Sequence, residues 1–164
     1  MSIKPDELNR NQVKVERESR KFYERIKKRP PDGIDEEIME LHHQVFEKIN
    51  CLECANCCKT ISPVFKERDI TGLSKFLKMR PADFVFKYLR IDEDGDYVLQ
   101  SSPCPFLMPD NYCSVYESRP FACRSYPHTD SIPLKKSRGL IIKNAAVCPG
   151  VYEITRVLMK KYGD

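Results

Sequence analysis

Four cysteines fall within eight residues, Cys51, Cys54, Cys57 and Cys58, in the pattern C-x2-C-x2-C-C, and four more follow at Cys104, Cys113, Cys123 and Cys148. Sulfurs spaced three apart can converge on one metal centre. A metal-bound sulfur is a thiolate, and thiolates held together repel one another until a cation neutralises them. Disulfides are the competing chemistry and need an oxidising compartment. The segment Met1–Arg10 is polar and charged, with no apolar core or small-residue cleavage site of a secretory signal. Metal ligation therefore accounts for the eight cysteines better than disulfides or unconnected thiols do.

Two metal chemistries stay open. Structural zinc takes four ligands at tetrahedral positions, often as paired C-x2-C knuckles. The run C-x2-C-x2-C also resembles the opening of the bacterial ferredoxin motif, in which three near cysteines and a distant one hold an iron–sulfur cluster. A cysteine followed by proline belongs to that motif as well and occurs at Cys104-Pro105 and Cys148-Pro149. Cys58 fits neither pattern. Adjacent sulfurs point apart, so Cys57 and Cys58 can serve two centres. Cys148 is expected at the N-cap of a final helix, where amides and the helix dipole favour a negative sulfur.

The distal half carries C-P-F-L at Cys104–Leu107, then C-x2-Y-x2-R-P-x2-C-R-x-Y-P from Cys113 to Pro127. Together with the four-cysteine run and a late cysteine, these residues resemble the CxxCxxCC family, also called YkgJ-like cysteine cluster proteins, named for zinc or iron chelation. The resemblance covers roughly residues 50–151. Ala55 stands where many members have glycine. A related cysteine pattern in flagellin lysine N-methylases implies one enzymatic direction.

Around the cysteines, Arg124 is placed to donate N–H bonds to ligating sulfurs or to grip an anion. Tyr126 and His128, within five residues of Cys123, are candidates beside it for binding a cofactor or substrate. The plainer reading makes Arg124 structural, Tyr126 a packing residue and His128 a loop histidine. Arg119-Pro120 reads as the end of a short helix.

These groups must be positioned by modest elements. Pro5–Arg29 reads as a helix with a thin apolar stripe of Leu8, Val15, Phe22 and Ile26, acidic at its start and basic at its end. Pro30-Pro31-Asp32-Gly33 ends it, which divides the chain into an arm over 1–30 and a cysteine-cluster domain over 31–164. Ile34, Ile38, Leu41, Val45 and Ile49 mark a second helix leading into the cysteine run. On it His42 is a half-buried neighbour of Phe46, and His43 is solvated. Lys66–Met79 and Pro81–Arg90 read as helices, Asp92–Asp96 as a turn without calcium-loop spacing, and Tyr97–Gln100 as a strand. Leu140-Ile141-Ile142 reads as a further strand, and a last helix starts near Pro149 with Val151, Ile154 and Leu158 inward.

The net charge is +4, and residues 1–29 hold ten Lys/Arg against five Asp/Glu, so the rest of the chain is near neutral. That balance argues against a nucleic-acid partner. It leaves the basic N-terminal helix as a solvated face or a surface for a protein partner. No apolar run approaches the ~18 residues of a membrane span, and the expected compartment is the cytoplasm. The expected fold is α+β and mainly helical, a small cysteine-rich, metal-stapled domain with a minor β-sheet and an N-terminal helical arm. The expected ligand is a metal ion, as zinc or within an iron–sulfur cluster, in a redox, structural or metal-handling role. The alternatives are an iron–sulfur enzyme modifying protein side chains and a zinc-stabilised interaction module.

Overall fold

The computed structural model describes residues 3–163. In chain order its elements are α1 (Pro5–Arg10), α2 (Gln12–Lys28), α3 (Ile34–Phe46), α4 (Cys51–Cys54), α5 (Asn56–Thr60), α6 (Glu67–Phe76), α7 (Pro81–Tyr88), β1 (Leu89–Ile91), β2 (Tyr97–Leu99), a 3-10 turn at Tyr116–Ser118, α8 (Phe121–Arg124), α9 (Leu134–Ala145) and α10 (Pro149–Tyr162). The fold is mainly helical α+β, as expected. The chain divides into two compact units: residues 1–51 with 127–164, and residues 52–126.

The first unit is helical. In it α2 lies against α9 and α10. Leu8, Val15, Phe22 and Ile26 are all buried, and Tyr23 and Ser19 join them. The Tyr23 hydroxyl meets Thr155 Oγ1 at 3.0 Å within this core. The single expected helix breaks at Asn11, whose side chain takes the Glu7 carbonyl at 2.9 Å. Such local bonding is how asparagine competes with the helical ladder.

Residues 140–142 are not a strand. They lie inside α9. Leu134, Ser137, Ile141 and Ala145 are buried at helical spacing while Leu140 is exposed, so packing overrides the strand preference of adjacent isoleucines. In the same unit Gly150 opens α10 where a methyl group would stand 2.5 Å from Phe46 Cζ. His42 lies 4.5 Å from the Phe46 ring and meets Thr129 Oγ1 at 2.7 Å; His43 is exposed.

The second unit is built on Phe65, Ile70, Leu73, Phe84, Leu89, Leu99, Phe106 and Val115. A two-stranded antiparallel sheet pairs Leu89 with Leu99 and Ile91 with Tyr97. The acidic turn joins the strands. Asp92 accepts from the Asp94 and Asp96 amides at 3.0 Å each, and Gly95 takes a positive φ of 81°. Strand β1 claims residues expected to end α7, which stops at Tyr88.

Candidate metal centre

The distal cysteines are held by the core beneath them. Phe106, two residues after Cys104, stacks on Phe84 with ring centroids 6.3 Å apart. Val115, two residues after Cys113, is 2% exposed. Cys104 and Cys113 pack against the same cluster. The intervening loop is pinned to itself, with Ser114 N donating to the Phe106 carbonyl at 2.9 Å. These bonds explain why C-P-F-L and C-S-V occur as units: each apolar residue anchors the sulfur beside it.

The cysteine run forms two short helical turns joined at Ala55, which adopts a left-handed φ of 47°. That conformation suits glycine and strains alanine. The Cys104 amide donates to the Cys58 carbonyl at 2.9 Å, and Ser102 Oγ donates to the Lys59 carbonyl at 2.9 Å. The distal loop is thereby fastened to α5. Cys123 sits on α8, whose first amide, Phe121 N, donates to Asp69 Oδ1 at 2.9 Å. The other oxygen of Asp69 accepts from Lys66 N at 3.0 Å.

Four thiols, Cys58, Cys104, Cys113 and Cys123, thus gather in the second unit, and each lies within electrostatic reach of the other three. Cys58 ionises most readily. A hydrogen bond with Cys57, sulfurs 4.0 Å apart, draws it down to about 7 against the opposing effect of burial, with help from Arg119 and Lys59. Burial pushes Cys123 up to about 12, and the three neighbouring sulfurs add to that. Cys104 and Cys113 are raised mainly by burial. Backbone N–H groups aimed at the sulfurs oppose it, those of Phe106 and Leu107 at Cys104 and that of Val115 at Cys113. All eight cysteines are thiols. Among the described residues, no three His, Cys, Asp or Glu side chains are already arranged to hold a metal ion. The donor chemistry nevertheless suits one: soft sulfur ligands from four segments, amides directed at two of them, and a cation alongside.

Of the other expected ligands, Cys54 and Cys57 lie on the two turns of the run, and the Cys54 carbonyl accepts from Lys59 Nζ at 3.3 Å. Cys51 and Cys148 belong to the first unit. Cys148 is the N-cap of α10, as the sequence suggested.

Arg119, which the sequence had marked only as a helix end, acts electrostatically on three of the four gathered thiols, and Lys59 acts on Cys58. Its guanidinium lies 3.5 Å from the Tyr116 ring centroid, and its charge favours ionised Cys58, Cys113 and Cys123. Arg124 is exposed and donates to the Arg119 carbonyl at 3.0 Å. The Tyr126 hydroxyl is buried. His128 takes a left-handed φ of 68°, and burial lowers its pKa more than Asp130 raises it. The available signal for Arg119 was its place between two cysteines, four residues before Cys123.

Residues 50–149 match the family model CxxCxxCC, described as a putative zinc- or iron-chelating domain. No curated protein and no solved structure matches the chain.

Proposed function

The chain belongs to the CxxCxxCC family, and we propose that it chelates zinc or iron at a centre made by Cys58, Cys104, Cys113 and Cys123. One observation carries this reading: these four thiols, from separate segments, lie within mutual electrostatic reach. Bound zinc would supply a tetrahedral staple, and iron held as an iron–sulfur cluster would supply redox chemistry. The chain's own part is to aim amides at Cys104 and Cys113, to fasten Cys104 to Cys58 through the backbone, and to bury the ligands. Arg124 serves the centre by holding the Arg119 backbone. Within the same unit Cys54 and Cys57 keep the x2 spacing common to metal-ligand pairs. Thiols maintained for metal need a reducing compartment, which favours the cytoplasm.

The test is anaerobic purification with elemental analysis and a visible spectrum, for the natural chain and for Cys58→Ser and Cys113→Ser. Both substitutions should lower metal content and melting temperature together. Full metal retention in both would sink the proposal.

A second reading has its own support. Lys14, Arg17, Lys21 and Lys28 are exposed and share an arc of about 60° on α2, opposite buried Val15 and Ser19. Two nearby carboxylates are engaged elsewhere, Glu16 by Arg20 at 2.8 Å and Glu24 by Arg138 at 3.1 Å, while exposed Glu18 flanks the ridge. This ridge fits an acidic protein partner. Low-salt anisotropy with labelled polyglutamate should report binding that the combined change K14E/R17E/K21E abolishes; binding that survives it would exclude the ridge.

A further inference from the structure

We infer that Arg119 is the fixed counter-charge of the four-cysteine centre, a positioning residue that offsets negative charge gathered by the sulfurs; the inference rests on reading that centre as a metal site. Arg119 stands between Cys113 and Cys123 in sequence. It follows the 3-10 turn that hangs from Cys113 through the Tyr116 amide, which donates to the Cys113 carbonyl at 3.2 Å. It precedes α8, which carries Cys123.

The side chain is held on two sides. Its guanidinium lies 3.5 Å from the centroid of Tyr116, whose ring in turn stacks on Tyr112 at 5.6 Å. Its Nε donates to the Tyr116 carbonyl at 2.9 Å. The backbone is held too, since Arg124 Nη1 donates to the Arg119 carbonyl at 3.0 Å. A long, flexible side chain anchored this way on a partly exposed surface is ordered for a purpose other than meeting a carboxylate: none of the ion pairs among the described residues uses it.

A divalent ion held by four thiolates leaves the loaded centre with two uncompensated negative charges. Partial burial makes that charge costly, and a cation held in place beforehand offsets it without further ordering. Lysine would keep the charge and lose the planar stack; glutamine would lose the charge.

The experiment measures Zn2+ affinity by chelator competition at about 20 mM and about 1 M salt, where screening lengths differ several-fold. It compares the natural chain with Arg119→Gln, Arg119→Lys and Cys58→Ser, with circular dichroism on each. Arg119→Gln should bind zinc about tenfold more weakly at low salt, with the gap narrowing at high salt. Arg119→Lys should recover most of the loss. Equal affinity of Arg119→Gln and the natural chain overturns the inference. So does an equal, salt-independent loss in both Arg119 variants, which would assign the residue to packing on Tyr116. If Arg119→Gln fails to fold, Arg119→Lys decides: a tenfold loss in a folded lysine variant overturns the counter-charge. Natural affinity in Cys58→Ser would instead overturn the metal centre itself, and the counter-charge with it.

Discussion

Removing the carboxylate of Asp69 tests how the second unit holds Cys123. Asp69 is 9% exposed, and its two oxygens serve two amides in separate segments, Lys66 N at 3.0 Å and Phe121 N at 2.9 Å. One bond caps α6. The other fixes the start of α8, two residues before Cys123. A hydrogen bond to a charged group contributes about 1.5–3 kcal/mol, and part of the loss in Asp69→Ala is recovered when water reaches the amides. The expected net cost is about 3 kcal/mol. Asp69→Asn keeps one acceptor oxygen and turns an N–H donor toward the other amide, so about half that cost is expected. Denaturant unfolding gives the free energies, and a chain of 164 residues should lose roughly 2–4 °C of melting temperature per kcal/mol. Zinc retention should fall in step, because a displaced α8 takes a ligand with it. Asp69→Ala within about 0.5 kcal/mol of the natural chain, the range of an ordinary surface change, would refute the bridging role. An asparagine variant as unstable as alanine would show that the two bonds do not act separately.

Gly150→Ala should destabilise the first unit by about 1–3 kcal/mol through overpacking against Phe46; in a Phe46→Ala background the penalty should vanish, and its persistence would point to backbone strain. Burial holds His42 below its ordinary 6.5, outweighing the attraction of Asp130 and aided by His43. The folded state therefore binds fewer protons than the unfolded chain, so stability is full above the unfolded pKa and falls as pH drops through it. Melting temperatures from pH 7.5 to 5 should show this fall, and His42→Gln should flatten it in part, since His128 is shifted the same way; an unchanged slope would exclude His42. Deleting residues 1–29 strips Tyr23 and the apolar stripe from α9 and α10, so the first unit should lose cooperative melting, against the modularity suggested by Pro30-Pro31. A sharp far-UV transition retained by the truncated chain would restore that modularity.

What was legible in the sequence was what local pattern encodes. The starts of α7 and α10 follow from proline at the first helical position, and the acidic turn from Asp92 and Gly95. The cysteine motifs are legible for a physical reason that only the core reveals: Phe106 and Val115 are inseparable from the sulfurs because they anchor them. Ala55 was visible as a departure and acquires meaning from its left-handed backbone. Strand β1 was not legible, since Leu89 and Arg90 read as the last turn of α7 and only the pairing of Leu89 with Leu99 makes them part of a strand. Asp69 carries no signal either, because its partner at Phe121 is 52 residues away.

The doubled cysteine is where local geometry and ligand choice meet. Both Cys57 and Cys58 lie on α5, and neighbouring residues on a helix point about 100° apart. The two sulfurs nevertheless approach each other. Their 4.0 Å contact lets one serve the other as a hydrogen-bond partner. Cys58 also accepts a backbone bond from Cys104 and lies within electrostatic reach of Cys113 and Cys123. Cys57 then keeps the regular x2 spacing with Cys54 and Cys51. The left-handed Ala55 sits between those two halves, where the chain must reverse its helical sense for one residue to begin α5 at a new angle. Glycine would make that reversal without strain, so Ala55→Gly should leave both sulfur directions intact, whereas a β-branched residue at 55 should disturb them together.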